Sequence, residues 1–157
     1  GNETAKALAE ATSFSSLKTL ILERSYIEIE GLREMVQGDL MDQLQELNIS
    51  ANKLRDEAVQ MIASTQKWKS LKILRLSQNM FGDPGAKALG ESTSLAGLTH
   101  LYAGRNYFGN EGAQAIHESK TLTSLKTLVL REGVEEDVGL VNYSRPELLR
   151  PDDPNSI

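Results

Sequence analysis

Leu17, Leu44, Leu71, Leu98 and Leu125 each stand 27 residues after the last in a chain of 157. A fixed period of this size marks a solenoid, in which one supersecondary unit recurs and buries its apolar face only against its neighbours. The third unit shows the plan most clearly. Leu71, Leu74 and Leu76 lead to Asn79 and Phe81, then to Gly82-Asp83-Pro84-Gly85, Ala86-Lys87-Ala88-Leu89 and Leu95. Leu74 and Leu76 flank Arg75, the alternation of a strand with one buried face. The Gly-Asp-Pro-Gly segment predicts a turn into a helix, with Pro in the first helical turn and Asp83 as its cap.

The fourth unit repeats this plan with Leu98, Leu101, Ala103, Asn106, Phe108, Gly109 to Gly112, Ala113, Ile116 and Leu122. The second is looser, with Leu47, Ile49, Asn52, Leu54, Val59, Ile62 and Trp68. The first is looser again, with Leu20, Leu22, Ser25, Ile27, Leu32, Met35 and Met41. Ala86, Ala88, Ala113 and Ala115 suit helices that pack closely, because alanine combines a small side chain with high helix propensity. The column Asn52, Asn79, Asn106 lies where the chain leaves each strand. A stacked amide there satisfies backbone groups that no ladder reaches, so the column reads as structural.

The L-x-x-L-x-L-x-x-N start and the Gly-x-x-Gly-Ala-x-Ala-Leu helix start of residues 82–89 resemble the leucine-rich repeat family. The helix start looks like the ribonuclease-inhibitor-like subtype. That subtype is shared with Ran GTPase-activating proteins, the sensor ends of NOD-like receptors and many bacterial repeat proteins. The resemblance spans residues 4 to about 133. It implies an α/β horseshoe arc with a concave parallel sheet and convex helices. It also implies an intracellular, cytoplasmic setting, and it leaves function open, because the fold serves many unrelated partners.

Residues 1–8 align with Gly109 to Ala113 and with Gly82 to Leu89, and Phe14 takes the column of Met41, Trp68, Leu95 and Leu122. The chain therefore begins with a helix inside a repeat. That favours a piece cut from a longer protein, since terminal repeats normally carry an atypical polar cap. At the other end Gly133 replaces the Asn and Val134-Glu135-Glu136-Asp137 breaks the register. The solenoid is expected over 1–136, with a cap and tail over 137–157. Val138, Leu140, Val141 and Leu148 or Leu149 would fold back over the last strand, whose edge is otherwise open to pairing. Arg150 to Ile157 would be loosely held.

Composition narrows the partners. The net charge is −5, with acids and bases mixed through the helices, which argues against nucleic acid. No apolar run reaches the length of a membrane span, so no membrane contact is implied. There is no cysteine, which removes disulfides and thiolate metal sites. His100 on a strand and His117 on an outer helix cannot meet, and no Ser is placed to pair with either. The acidic runs Glu135-Glu136-Asp137 and Asp152-Asp153 lack EF-hand spacing. The Gly-x-x-Gly turns lack the G-K-[ST] of a phosphate loop. The sequence therefore implies no enzyme, no cofactor and no metal.

What varies is the concave face. Its columns read Thr19, Glu46, Ile73, His100, Thr127; Ile21, Asn48, Arg75, Tyr102, Val129; Glu23, Ser50, Ser77, Gly104, Arg131; and Arg24, Ala51, Gln78, Arg105, Glu132. The leucine core dictates none of these residue types. Arg75, His100, Tyr102, Arg105 and Arg131 fall on neighbouring strands about 4.8 Å apart and converge within about 15 Å. With Asn48 and Gln78 they form the candidate partner-binding set. Tyr and Arg are enriched at the energetic centres of interfaces, and a protein partner offering carboxylates or an acidic helix fits them. The reading is a protein-interaction module within a larger bacterial or eukaryotic protein. The alternatives are a regulator of a small GTPase, by similarity to the Ran GTPase-activating proteins, and a spacer or autoinhibitory arm of a neighbouring domain. Ala103, where other repeats carry Leu or Ile, predicts local repacking by Phe81, Phe108 or Tyr107.

Overall fold

A computed structural model describes residues 1–10 and 15–130. The elements run α1 (Asn2–Glu10), β1 (Thr19–Ile21), α2 (Ile29–Met35), α3 (Leu40–Gln43), β2 (Glu46–Asn48), α4 (Arg55–Ser64), β3 (Ile73–Arg75), α5 (Asp83–Glu91), β4 (His100–Tyr102), α6 (Asn110–His117) and β5 (Thr127–Val129). The strands form one sheet in chain order, every neighbouring pair parallel. Thr19 faces Glu46, Glu46 faces Ile73, Ile73 faces His100 and His100 faces Thr127, so the sequence period is the sheet register. Right-handed βαβ crossovers need a helix on the return path. Here the helices supply it and form the second layer.

The repeated leucines stack between the layers. Leu44, Leu47, Ile49, Leu71, Leu74, Leu76, Leu98 and Leu101 are all buried, as are the helical Ala58, Val59, Ile62, Ala86, Leu89, Ala113 and Ile116. Leu17 and Leu20 in the first repeat are only partly buried. Ala103 is fully buried, and the rings of Phe81 and Phe108, also buried, stack with centroids 5.4 Å apart. Tyr107 stands 70% exposed, so it does not fill the space beside Ala103. Phe14 and residues 131–157, with the expected cap and tail, lie outside the described residues.

The Asn column is structural. Asn79 is fully buried; its Nδ2 donates to the carbonyls of Ile49 and Leu76 at 3.0 and 3.2 Å, and its Oδ1 accepts the Asn52 N–H at 2.9 Å. Asn52 does the same for Ser25 and Ile27, and Asn106 for Asn79. Each amide thus reaches back to the preceding repeat. On either side of this column the backbone turns left-handed, with φ between 52° and 64° at Arg24, Tyr26, Ala51, Lys53, Gln78, Met80 and Arg105.

The helix caps differ from expectation. Asp83 does not cap its own helix, whose N-cap is Gly82 without a side-chain cap. Its Oδ1 instead accepts the N–H groups of Gly109 and Gly112 at 2.8 and 2.9 Å, at the start of α6. Asp56 serves α5 in the same way, accepting from Gly82 and Gly85, both at 2.8 Å. Asn2 Oδ1 accepts the Glu28 N–H at 2.9 Å just before α2. The reason lies in stacking: the carboxylate at one helix start lies beside the orphan N–H groups of the next, whose glycines leave it room. A Cβ on Gly112 would sit 2.6 Å from Asp83 Oδ1.

Candidate functional site

The open face of the sheet is where residue type is unconstrained by packing. Arg75 leaves β3 on this face and lies over its neighbour from β4, its guanidinium carbon 4.2 Å from the centre of the Tyr102 ring. Its Nε donates to Glu46 Oε1 on β2 at 3.0 Å. The His100 ring is 6.5 Å from that of Tyr102 and nearly parallel, at 16°. His100 Nδ1 lies 2.8 Å from Thr99 Oγ1. Three adjacent strands thus share one polar chain, Glu46–Arg75–Tyr102–His100. The parallel register makes it, because it sets Asn48, Arg75 and Tyr102 side by side.

Below this chain, towards the C-terminal ends of the strands, lies a groove of about 280 Å³. Arg75, Tyr102, Gln78, Arg105 and Asn48, five of the residues expected from the sequence, line it together with Glu23 and Arg24. His100 stacks behind Tyr102 and does not line the groove. Arg131 lies outside the described residues. Asn48 is buried: its Nδ2 donates to Glu23 Oε2 at 3.3 Å and its Oδ1 accepts the Ser50 N–H at 3.0 Å, so much of its hydrogen-bonding capacity is spent within the fold. Thr127 and Val129 are buried as well, so the open face spans β1 to β4.

Glu23 and Glu46 are the residues that sequence reasoning passed over. Both stand in the concave columns, Glu46 one strand from Arg75 and Glu23 one residue before Arg24. Glu46 neutralises the Arg75 cation, and Glu23 lies 3.8 Å from Arg24. The groove is therefore close to balanced in charge, and Arg105 is its exposed cation without an ion pair among the described residues. Among those residues no group of three or more His, Asp or Glu side chains is placed to hold a metal ion. None of the helices described is long and apolar enough to cross a membrane.

A family profile described as "Leucine Rich repeat" matches residues 44–63 and 69–90, the second and third repeats. No curated protein matches the chain. Among solved structures, the tropomodulin C-terminal domain of Caenorhabditis elegans is similar with a TM-score of 0.61 at 13% identity, over 85% of this chain and 84% of that one. The Leiomodin-1 Actin-Binding Site 2 is similar with a TM-score of 0.65 at 18% identity, over 85% of this chain and 78% of that one. At such identities the likeness is one of fold, and it agrees with the parallel sheet, the stacked leucines and the Asn ladder: the described residues form a leucine-rich repeat solenoid.

Proposed function

We propose that this chain is a protein-interaction module whose partner rests on the concave face of β1 to β4, over Arg75 and Tyr102. The Arg75–Tyr102 stack carries this reading. An arginine held over a tyrosine ring and tied to Glu46 is already ordered, so contact with it costs little further side-chain entropy. Arg and Tyr are also the residue types that most often dominate binding energy. Glu23 and Glu46 beside them favour a partner surface of mixed charge over a purely acidic one. The glycine-alanine helix starts and the 27-residue register support placement near the ribonuclease-inhibitor-like subtype. The GTPase-regulator alternative gains no support from the comparisons.

The leiomodin-1 neighbour is named for an actin-binding site, which makes actin the first partner to test. Co-sedimentation with filamentous actin and a pull-down from cytosolic extract, each with wild type and the Arg75→Ala/Tyr102→Ala variant, examine the reading. Loss of the same partner on substitution supports it, with a cost of about 2 kcal/mol or more for an interface centre. Recovery equal to wild type overturns the concave face as the binding surface.

A further inference from the structure

Beyond the concave face, the turns that follow the strands carry a second surface. The backbone is left-handed there at Arg24, Tyr26, Lys53, Met80 and Arg105. Arg24, Tyr26, Lys53, Met80, Arg105 and Tyr107 line a shallow trough of about 510 Å³ there, and no carboxylate lines it. Tyr26 is 86% exposed and Tyr107 70%, the two most exposed large apolar side chains described. They stand at opposite ends, three repeats apart. Lys53 and half-buried Met80 form the floor between them. Among the described residues neither Lys53 nor Arg105 enters an ion pair, and Arg24 meets only Glu23, at 3.8 Å between exposed groups.

We propose that this rim binds an extended acidic peptide segment of a partner protein, laid across the repeats with the pattern acidic-x-apolar-x-acidic. The spacing argues for it. Arg24 and Arg105 stand three strand spacings apart, about 14 Å. In an extended peptide, residues i and i+4 lie on one face and are also about 14 Å apart, with i+2 between them on that face. The two acids meet Arg24 and Arg105, and the apolar residue meets Met80 and the Lys53 stem. Tyr26 and Tyr107 bracket the segment as aromatic posts. A single small anion cannot bridge cations at that distance. Nucleic acid is disfavoured by the net charge of −5. Arg24, Gln78 and Arg105 line both this trough and the concave groove, whereas Arg75 and Tyr102 line only the groove and Tyr26, Lys53, Met80 and Tyr107 only the trough, so substitutions at those residues separate the two readings.

The probe is a fluorescein-labelled peptide with the core Glu-Ser-Leu-Ser-Glu, titrated with the whole chain by fluorescence polarisation at low salt. The Lys53→Glu/Arg105→Glu variant is expected to bind at least about tenfold more weakly, as is the wild type towards Gln-Ser-Leu-Ser-Gln, since the contacts are charge-assisted. Tyr26→Ala/Tyr107→Ala is expected to weaken binding severalfold, and Arg75→Ala/Tyr102→Ala to leave it unchanged. Circular dichroism checks the fold of each variant, and the neutral Lys53→Gln/Arg105→Gln pair serves if charge reversal perturbs it. No binding at about 1 mM peptide, equal binding by the charge-reversed or neutral variant, or tighter binding of a thymidine oligomer or phosphatidylserine vesicles would each overturn the proposal.

Discussion

At the scale of single residues, the Asn ladder shows how one amide can serve several backbone groups. Asn79 holds two carbonyls and one N–H, all in a setting with no access to water. Asn79→Ala leaves these groups unpaired in the interior. A cost of about 2–4 kcal/mol is expected, read as a lower midpoint in chemical denaturation. Asn79→Leu would not rescue it, because volume is not what is lost. Much of this was legible in the sequence: a polar residue recurring with the leucines has to be buried, and a buried amide has to be satisfied. The Arg75–Glu46 pair was less legible. Periodicity assigns a side chain to a face but does not choose among the neighbours it can reach there.

The helices behave as a packed row in which each start depends on the helix before it. Asp83→Ala removes the acceptor for two N–H groups of the next repeat, and a cost of about 1–2 kcal/mol is expected. Hydrogen exchange should place the loss at the start of α6 rather than of α5. Local rules failed to foresee this because they look for a cap within a few residues, whereas the acceptor lies in the neighbouring repeat. Where the column holds Ile29 instead of an acid, no carboxylate of that column is offered to the start of α4, and there the Arg55 N–H donates to the Asn79 carbonyl at 2.7 Å with Arg55 at a φ of 61°. Close packing sets a second limit. A Cβ on Gly90 would fall on the Ala115 carbonyl of α6, whereas one on Gly109 meets nothing within 4 Å. Gly90→Ala is expected to lower the melting temperature clearly more than Gly109→Ala, by overpacking of about 1–3 kcal/mol set against a smaller gain in helix propensity.

Across the same row, Lys87 donates to Glu111 Oε2 at 2.9 Å. That hydrogen bond first, and the Glu111 charge second, hold the Lys87 ammonium above its usual value of 10.5. A raised pKa in the folded state means a contribution present below pH 10.5 and lost as pH rises through the higher value. Glu111→Gln should return the Lys87 titration, followed by NMR, towards the ordinary range. Little change in melting temperature at neutral pH is expected, because the pair is exposed.

At the scale of the whole molecule, stability is a sum over repeats and the seams between them. Strands β2 to β4 have a partner on both sides and a buried leucine stack, while β1 lies at one end of the sheet with Leu17 and Leu20 only partly covered. Amide exchange should therefore be slowest in β2 to β4 and faster in β1 and α1. Uniform protection across β1 to β4 would contradict a nearest-neighbour description. The arc itself was the most legible part of this chain, since a strict period leaves few ways to bury every leucine. The character of its surfaces was less so, because the repeat leaves those positions free.

The two linking devices point opposite ways. The asparagine amides reach back towards the amino terminus, and the aspartate carboxylates reach forward towards the other end. Cutting between the second and third repeats would strand Asn52's N–H on one fragment and the opening amides of α5 on the other. Growth or shrinkage of such an array is consequently quantised: whole 27-residue cassettes can be gained or lost in evolution or by design, and any partial insertion breaks a bond on both flanks.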